Sequence, residues 1–381
     1  MAVKVYHTRE LDQYVAECDR LGGIAHPDAA QIRADFRLEY DTRPNQQLDP
    51  FSEEYYQQQV ALYTELSGRK VDQEQGELTP LDVDAHAAGH NPYNSGDVGW
   101  IAKHTRAIHS CLVLANLPPR ATILDAGSGW GLSSEAMAFC GASVTALDIN
   151  PLFVQLVKKR AERLSLPIEA VQSEFDKFAS TQQYDMLLFY ECLHHSLKPW
   201  ETLTHLGKFV KPDGKILFAG EPINTCWWKD WGIRLDPESV YVIRKFGWWE
   251  GGWSTDFISR CFDRAGFTLT PYAHTGLDNG MIGFACRHGA EATVKPNLKA
   301  WESVLGEINS SNFSMSEKQT EITALKLRHE QLVNQYELES VKLHGHIQGL
   351  QHAIADMRSS RSWRVTAPLR YFFNSLGVSR S

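Results

Sequence analysis

The 381-residue chain lacks the paired cysteines that zinc ribbons and thioredoxin-type redox sites need. Its seven cysteines stand at 18, 111, 140, 192, 226, 261 and 286, no two nearer than 25 residues. A scattered, odd set argues against a disulfide framework and points to a reducing, cytoplasmic setting. Long apolar runs are missing as well. Stretches such as Met186 to Tyr190 fall far short of the roughly 20 residues of a membrane-spanning helix. The first ten residues carry no apolar signal core, so export by that route is not expected. Nor is there excess positive charge: the net charge is −8, which speaks against nucleic acid as the main partner.

Two features are unevenly spread. Six of the eleven tryptophans (227, 228, 231, 248, 249 and 253) fall within 27 residues. The segment from Arg358 to Ser381 holds five arginines and no acid, so a tail of +5 leaves −13 on the rest of the chain. A mass of 43.1 kDa is more than one domain usually needs.

The first 117 residues read as a helical extension. Ser52 caps a helix that Gly68 stops, with Tyr55, Tyr56, Gln59, Leu62, Tyr63 and Leu66 at helical spacing. Val71 to Gly99 reads as irregular, and a second helix is expected from about Trp100 to Leu117. From Ala121 short apolar runs alternate with amphipathic segments, the pattern of parallel β-α units. Strands are expected at Ala121 to Asp125, Ala142 to Asp148, Ile168 to Val171, Tyr184 to Tyr190 and Lys215 to Ala219. Helices are expected at Leu132 to Cys140, from the cap Asn150-Pro151 to Leu164, at Pro199 to Val210 and at Ser254 to Ala265. Pro212-Asp-Gly214 reads as a turn, and Phe267 to Ala273 with Met281 to Cys286 as a closing hairpin.

The strongest motif is Ile123-Leu-Asp-Ala-Gly-Ser-Gly-Trp-Gly131, three glycines in a strand-to-helix turn that let a ligand approach the backbone. Leu132 stands where a nicotinamide-binding loop would not place it. Asp148 follows 17 residues after Gly131, at the tip of the next strand, where a carboxylate can accept two ribose hydroxyls. With Asp125 and the strand series, Ala121 to His288 resembles the class I S-adenosylmethionine-dependent methyltransferases. The resemblance implies a Rossmann-like α/β sheet with helices on both faces. It implies that Gly127 and Gly129, with Gly131 beside them, line the methionine end of S-adenosylmethionine, with Asp125 near its amino group. It also implies that Asp148 holds the ribose, that Ile149 packs on the adenine, and that Glu174 and Phe175 flank the base. Many relatives carry Gly-Asp where Ser173-Glu174 stands, a departure that bears on the adenine contact.

Methyl transfer from a sulfonium needs alignment more than covalent help, and a hydroxyl acceptor must also lose a proton. The fourth strand ends Tyr190-Glu-Cys-Leu-His-His195, at the sheet edge where open α/β folds bind ligands. Glu191, His194 and His195 are therefore the candidate catalytic residues, with either histidine as base. The alternative is one histidine as a helix-start hydrogen-bonding residue and the other as a substrate contact. Glu191, Glu221 and a histidine do not have a diagnostic metal spacing, and no metal is expected. The tryptophan-rich connection, 221–253, is expected to shape the acceptor pocket, four of its six rings packing and one or two touching substrate. Glu221, Trp231, Arg234 and Asp236 are its candidate substrate anchors.

Beyond about Lys295, in a segment read as 291–358, Ile347, Leu350, Ile354 and Met357 keep an imperfect heptad spacing, read as a coiled coil or a single solvated helix. The tail, 359–381, holds Ser360-Arg-Ser-Trp-Arg-Val-Thr-Ala-Pro-Leu-Arg370. It resembles the tail of many bacterial surface-polysaccharide glycosyltransferases and O-antigen-modifying methyltransferases. Arginines alternating with Trp363, Tyr371, Phe372 and Phe373 suit an anionic membrane surface or a partner's groove; a disordered basic tail is the alternative. The expectation is a cytoplasmic methyltransferase, peripheral on the membrane, acting on a sugar-linked hydroxyl, with glycosyltransferase partners and self-association through the C-terminal helix. Two alternatives stay open: a soluble small-metabolite acceptor, and a scaffold for glycan assembly.

Overall fold

A computed structural model of the chain describes residues 4–73, 80–223, 227–273 and 281–300. All of them fall within one compact unit, Met1–Gly306. The expected heptads and basic tail lie outside the described residues.

Five parallel strands form the centre of a seven-stranded sheet: β3 (Thr122–Ala126), β4 (Ser143–Asp148), β5 (Ile168–Gln172), β6 (Tyr184–Tyr190) and β7 (Val210–Ala219). The antiparallel hairpin β10 (Phe267–Ala273) and β11 (Met281–Arg287) completes it, giving the order β10-β11-β7-β6-β3-β4-β5. Both faces are buried, and the side-chain alternation shows it. Leu187 and Phe189 of β6 join one core cluster, Met186 and Leu188 the other. This is a Rossmann-like α/β sheet with helices on both faces, as expected. The chain runs outward from β3 to β5 and returns to β6 on the other side of β3. The switch point therefore lies between the carboxyl ends of β3 and β6, where open sheets bind ligands.

Helices α5 (Val98–Ala115) and α6 (Leu132–Phe139) cover one face through Ala107, Ile108, Cys111 and Met137. The other face takes α8 (Pro199–Leu206) and α10 (Thr255–Arg264), and the same core runs on into the N-terminal segment, with β1 (Lys4–His7), α1 (Leu11–Arg20), α2 (Ala30–Asp35), β2 (Phe36–Glu39) and α3 (Glu53–Ser67). Ser52 caps α3 by accepting from the Tyr55 amide, and Gly68 ends it at φ +69°. Asn150 caps α7 (Pro151–Leu164) by accepting from the Leu152 amide. Leu164 is exposed, and Arg160 is buried because it bridges Glu135 and the carbonyls of His86 and Gly89.

Two local expectations need correction. Pro212 to Gly214 does not separate two elements. Within β7 the pairing passes from Tyr184↔Val210 to Met186↔Lys215, so the extra residues bulge out of a continuing strand. The region read as irregular contains a short helix, α4 (Val83–Ala88), which Asp82 caps.

The tryptophan-rich connection forms its own small layer: β8 (Trp231–Ile233) pairs with β9 (Gly251–Trp253), and α9 (Pro237–Phe246) lies between them in sequence. The N-terminal helices clamp this layer by supplying its buried backbone with partners. Tyr14, Tyr55 and Tyr63 donate to the carbonyls of Pro237, Trp231 and Gly247 at 2.7, 2.6 and 2.6 Å. Gln59 accepts from the Ile233 amide.

Candidate active site

The loops after β3 and β6 meet at the switch point. Gly127 has φ +66°, and a Cβ there would meet Cys192 Cβ at 2.6 Å, so only glycine permits this approach. Cys192 Sγ donates to the Ala126 carbonyl at 2.8 Å and fixes the two loops together. Gly131 is set by different packing: at φ +88° its missing Cβ makes room for Val157 of α7. Gly129 faces open space, and its amide donates to Asp148 Oδ2 at 2.7 Å.

These loops border a cavity of about 500 Å³, lined by Gly127, Gly129, Asp148, Ile149, Glu174, Phe175, Glu191 and His195 among others. Asp148 also accepts from the Asn150 amide at 2.8 Å. Burial raises its carboxyl to about 6, against the pull of the Asn150, Gly129 and Ile149 amides. Asp125 lies just beneath, 1 % exposed, one oxygen held by Ser133 and Ser134. Its other oxygen is buried with no partner among the described residues, and burial raises this carboxyl to about 6 as well. An orphaned acceptor beside an open glycine cradle, with a carboxylate at the next strand tip, fits the amino-acid and ribose ends of S-adenosylmethionine. Of the eight expected cofactor residues, six line the cavity; Asp125 and Gly131 do not.

The catalytic candidates separate. His195 lines the cavity, whereas His194 is 7 % exposed and turned toward the insertion. His194 Nδ1 lies 2.8 Å from Glu221 Oε2 and its Nε2 lies 3.7 Å from Glu250 Oε2. Burial pulls the His194 pKa down, but the Glu221 and Glu250 carboxylates outweigh it and the net shift is upward. His195 Nδ1 meets the Trp249 carbonyl at 2.9 Å. A carbonyl only accepts, so the proton sits on Nδ1 and Nε2 keeps its lone pair. Burial and the neighbouring His194 hold His195 well below the ordinary histidine pKa, so it is neutral at pH 7. Glu191 adopts φ +52°, a strained conformation that Gly220, at φ +77°, accommodates across from it. Its carboxylate lies 3.6 Å from His104 Nδ1, which also contacts the Tyr190 hydroxyl at 2.7 Å.

None of the four expected substrate anchors lines the cavity. Glu221, 1 % exposed, accepts from the amides of Cys192, Leu193 and His194 and so shapes the catalytic turn. Trp231 is core: its indole donates to the Pro50 carbonyl and it packs on Tyr55, Trp200 and Phe257. Asp236 caps α9 and pairs with Arg234, which also approaches Glu250. The reason is the β8–β9 pairing, which turns this motif toward the N-terminal helices. Trp228, Trp249 and Trp253 are buried with Trp231, and Trp248 is the ring of the six that reaches the cavity. Its Nε1 is buried without an acceptor among the described residues.

The sequence reading passed over most of the cavity's aromatic wall. Tyr93, Trp100, Trp130 and Phe153 line it, with Tyr93 edge-on to Trp100 and Trp130 against Phe153. Trp130 stands inside the glycine motif and carried a signal. Tyr93, in a stretch read as irregular, carried none.

Among known proteins, the family described as "Methyltransferase domain" has a model that matches residues 124–218. The chain is 32% identical over 132 residues to the ubiquinone biosynthesis O-methyltransferase of Salmonella paratyphi A, covering 32% of this chain and 54% of that protein. It therefore spans about half of that relative's length. Its identity to the Erwinia tasmaniensis protein of the same name is 28% over 196 residues, covering 49% of this chain and 72% of that one. Among solved structures it is similar to the Burkholderia thailandensis 1,6-didemethyltoxoflavin-N1-methyltransferase, with 19% identity and a TM-score of 0.40 over 51% of this chain and 83% of that one. Among the described residues, no helix is long and apolar enough to cross a membrane.

Proposed function

We propose that the protein is an S-adenosylmethionine-dependent O-methyltransferase acting on a small-molecule hydroxyl. The observation that carries this is the pairing of Asp148 and the Gly127–Gly129 turn with His195 across one cavity. Asp148 would hold the ribose, Ile149 and Phe175 the adenine, and Asp125 the amino group. When bound, S-adenosylmethionine supplies an electrophilic methyl on a sulfonium. The acceptor hydroxyl would take that methyl and give up its proton at the His195 edge, where a neutral imidazole is available. Tyr93, Trp100, Trp130 and Trp248 supply flat apolar faces.

Flat rings suit the C–H face of a sugar, and the tail's resemblance supports a sugar-linked hydroxyl in bacterial surface-polysaccharide assembly. Contact with a membrane surface, glycosyltransferase partners and self-association belong to this reading through the C-terminal segment. A soluble aromatic metabolite is the second reading. The same ring wall favours it, as do the relatives, whose names place them in ubiquinone biosynthesis.

The test is calorimetry with S-adenosylmethionine on wild type and Asp148→Ala, followed by mass spectrometry of surface glycan from cells expressing either form. Binding by wild type that is lost in Asp148→Ala, with a 14 Da loss from the glycan, supports the sugar reading. Absence of cofactor binding by wild type refutes the enzyme, and unchanged glycan with intact binding leaves the metabolite reading.

A further inference from the structure

We infer that His194, His195 and Glu250 form a binding site for one divalent transition-metal ion of the zinc type, at the wall of the cavity. The tertiary fold brings a ligand atom from each side chain within 4.8 Å of the others, although Glu250 is 55 residues from His195 in sequence. His194 Nε2 lies 3.7 Å from Glu250 Oε2, and the two imidazole centroids are 4.2 Å apart.

Three further observations point to a cation here. The first is the outer shell. His194 Nδ1 is engaged by the Glu221 carboxylate and His195 Nδ1 by the Trp249 carbonyl. Metal-bound histidines are oriented in this way, with the second nitrogen anchored to an oxygen and the first left to ligate. The second is charge. The carboxylates of Glu221, Glu250 and Asp236 gather around the pair, with Arg234 beside them, in a largely buried cluster. The third is access: His195 lines the cavity, so a three-ligand site would turn its open position toward the acceptor. Two imidazoles and one carboxylate suit zinc better than magnesium or calcium, which prefer all-oxygen shells. Arg234 Nη1, 3.5 Å from Glu250 Oε2, would act as a second outer-shell partner.

With a cation bound, His195 Nε2 is a ligand and no longer a base; the cation takes over that part by lowering the pKa of an acceptor hydroxyl placed on it. That use rests on the methyl-transfer reading; the site itself does not. The experiment takes the full chain, stripped with chelator, and titrates it with zinc chloride by calorimetry. Cobalt(II) chloride then reports geometry through its visible bands. One zinc per chain is expected, with affinity at least tenfold weaker in His195→Ala and in Glu250→Gln and the tetrahedral cobalt bands lost in both. Glu221→Gln should weaken zinc by about 10–100-fold through the outer shell. Circular dichroism shows which variants fold, and His195→Gln tests the site if Glu250→Gln does not fold. Failure of wild type to take up zinc, or equal uptake by the folded ligand variants, overturns the site. Zinc uptake by a chain that does not bind S-adenosylmethionine upholds the site and overturns the methyl-transfer reading. Cofactor binding without zinc uptake does the reverse.

Discussion

Asp148 shows how one residue can serve binding at the expense of the free fold. Its carboxyl is buried and raised to about 6, while its unfolded value is near 3.8. In the free chain the folded state therefore binds its proton more tightly than the unfolded state. The stability this group contributes is present below about pH 4 and is lost as pH rises through 6. With Asp148 as the proposed ribose partner, cofactor affinity would have the opposite sign, because ribose hydroxyls donate to the ionised form. Calorimetry should show S-adenosylmethionine affinity level above about pH 7 and falling below pH 6, by up to tenfold per pH unit. Asp125, also raised to about 6, acts in the same direction. A flat profile down to pH 5 would contradict this account. Sequence spacing alone located both acids and the histidine pair, because strand-tip positions follow from chain order. The roles within the pair did not follow from it. Only packing decides that His195 faces the cavity and that His194 is held between Glu221 and Glu250.

Among elements, the turn from β3 into α6 carries the closest constraint. Gly131 combines φ +88° with a missing Cβ that would stand 2.7 Å from Val157 Cγ2. Gly131→Ala should destabilise the chain by about 1–3 kcal/mol in urea unfolding. Val157→Ala on the same background should recover the steric part but not the backbone part, so rescue is partial. Full rescue would show that the backbone strain is negligible. The strands and helices around this turn follow expectation to within one or two residues, since their periods and caps are local signals. The insertion does not. Trp231 and Asp236 were expected at the substrate and instead build a hairpin layer and a helix cap. A tryptophan beside charged residues looks the same in sequence whether it meets a ligand or another helix.

For the whole molecule, the N-terminal helices hold the insertion, and the insertion in turn holds Glu250 beneath His194. Tyr55→Phe removes a buried donor from the Trp231 carbonyl and should cost about 1–3 kcal/mol in thermal or urea unfolding. Its effect on cofactor affinity should be small, because Asp148, the proposed ribose partner, lies on β4. A large loss of affinity without loss of stability would show that the clamp governs the cofactor side directly. The sequence by itself determined the series of parallel strands and the glycine turn between the first of them and its helix, because these depend on short-range periodicity and on residues a few positions apart. Tertiary structure alone decided the aromatic wall, the histidine that faces the cavity and the meeting of His194, His195 and Glu250. Those depend on side chains brought together from distant parts of the chain by packing, and no local pattern encodes that.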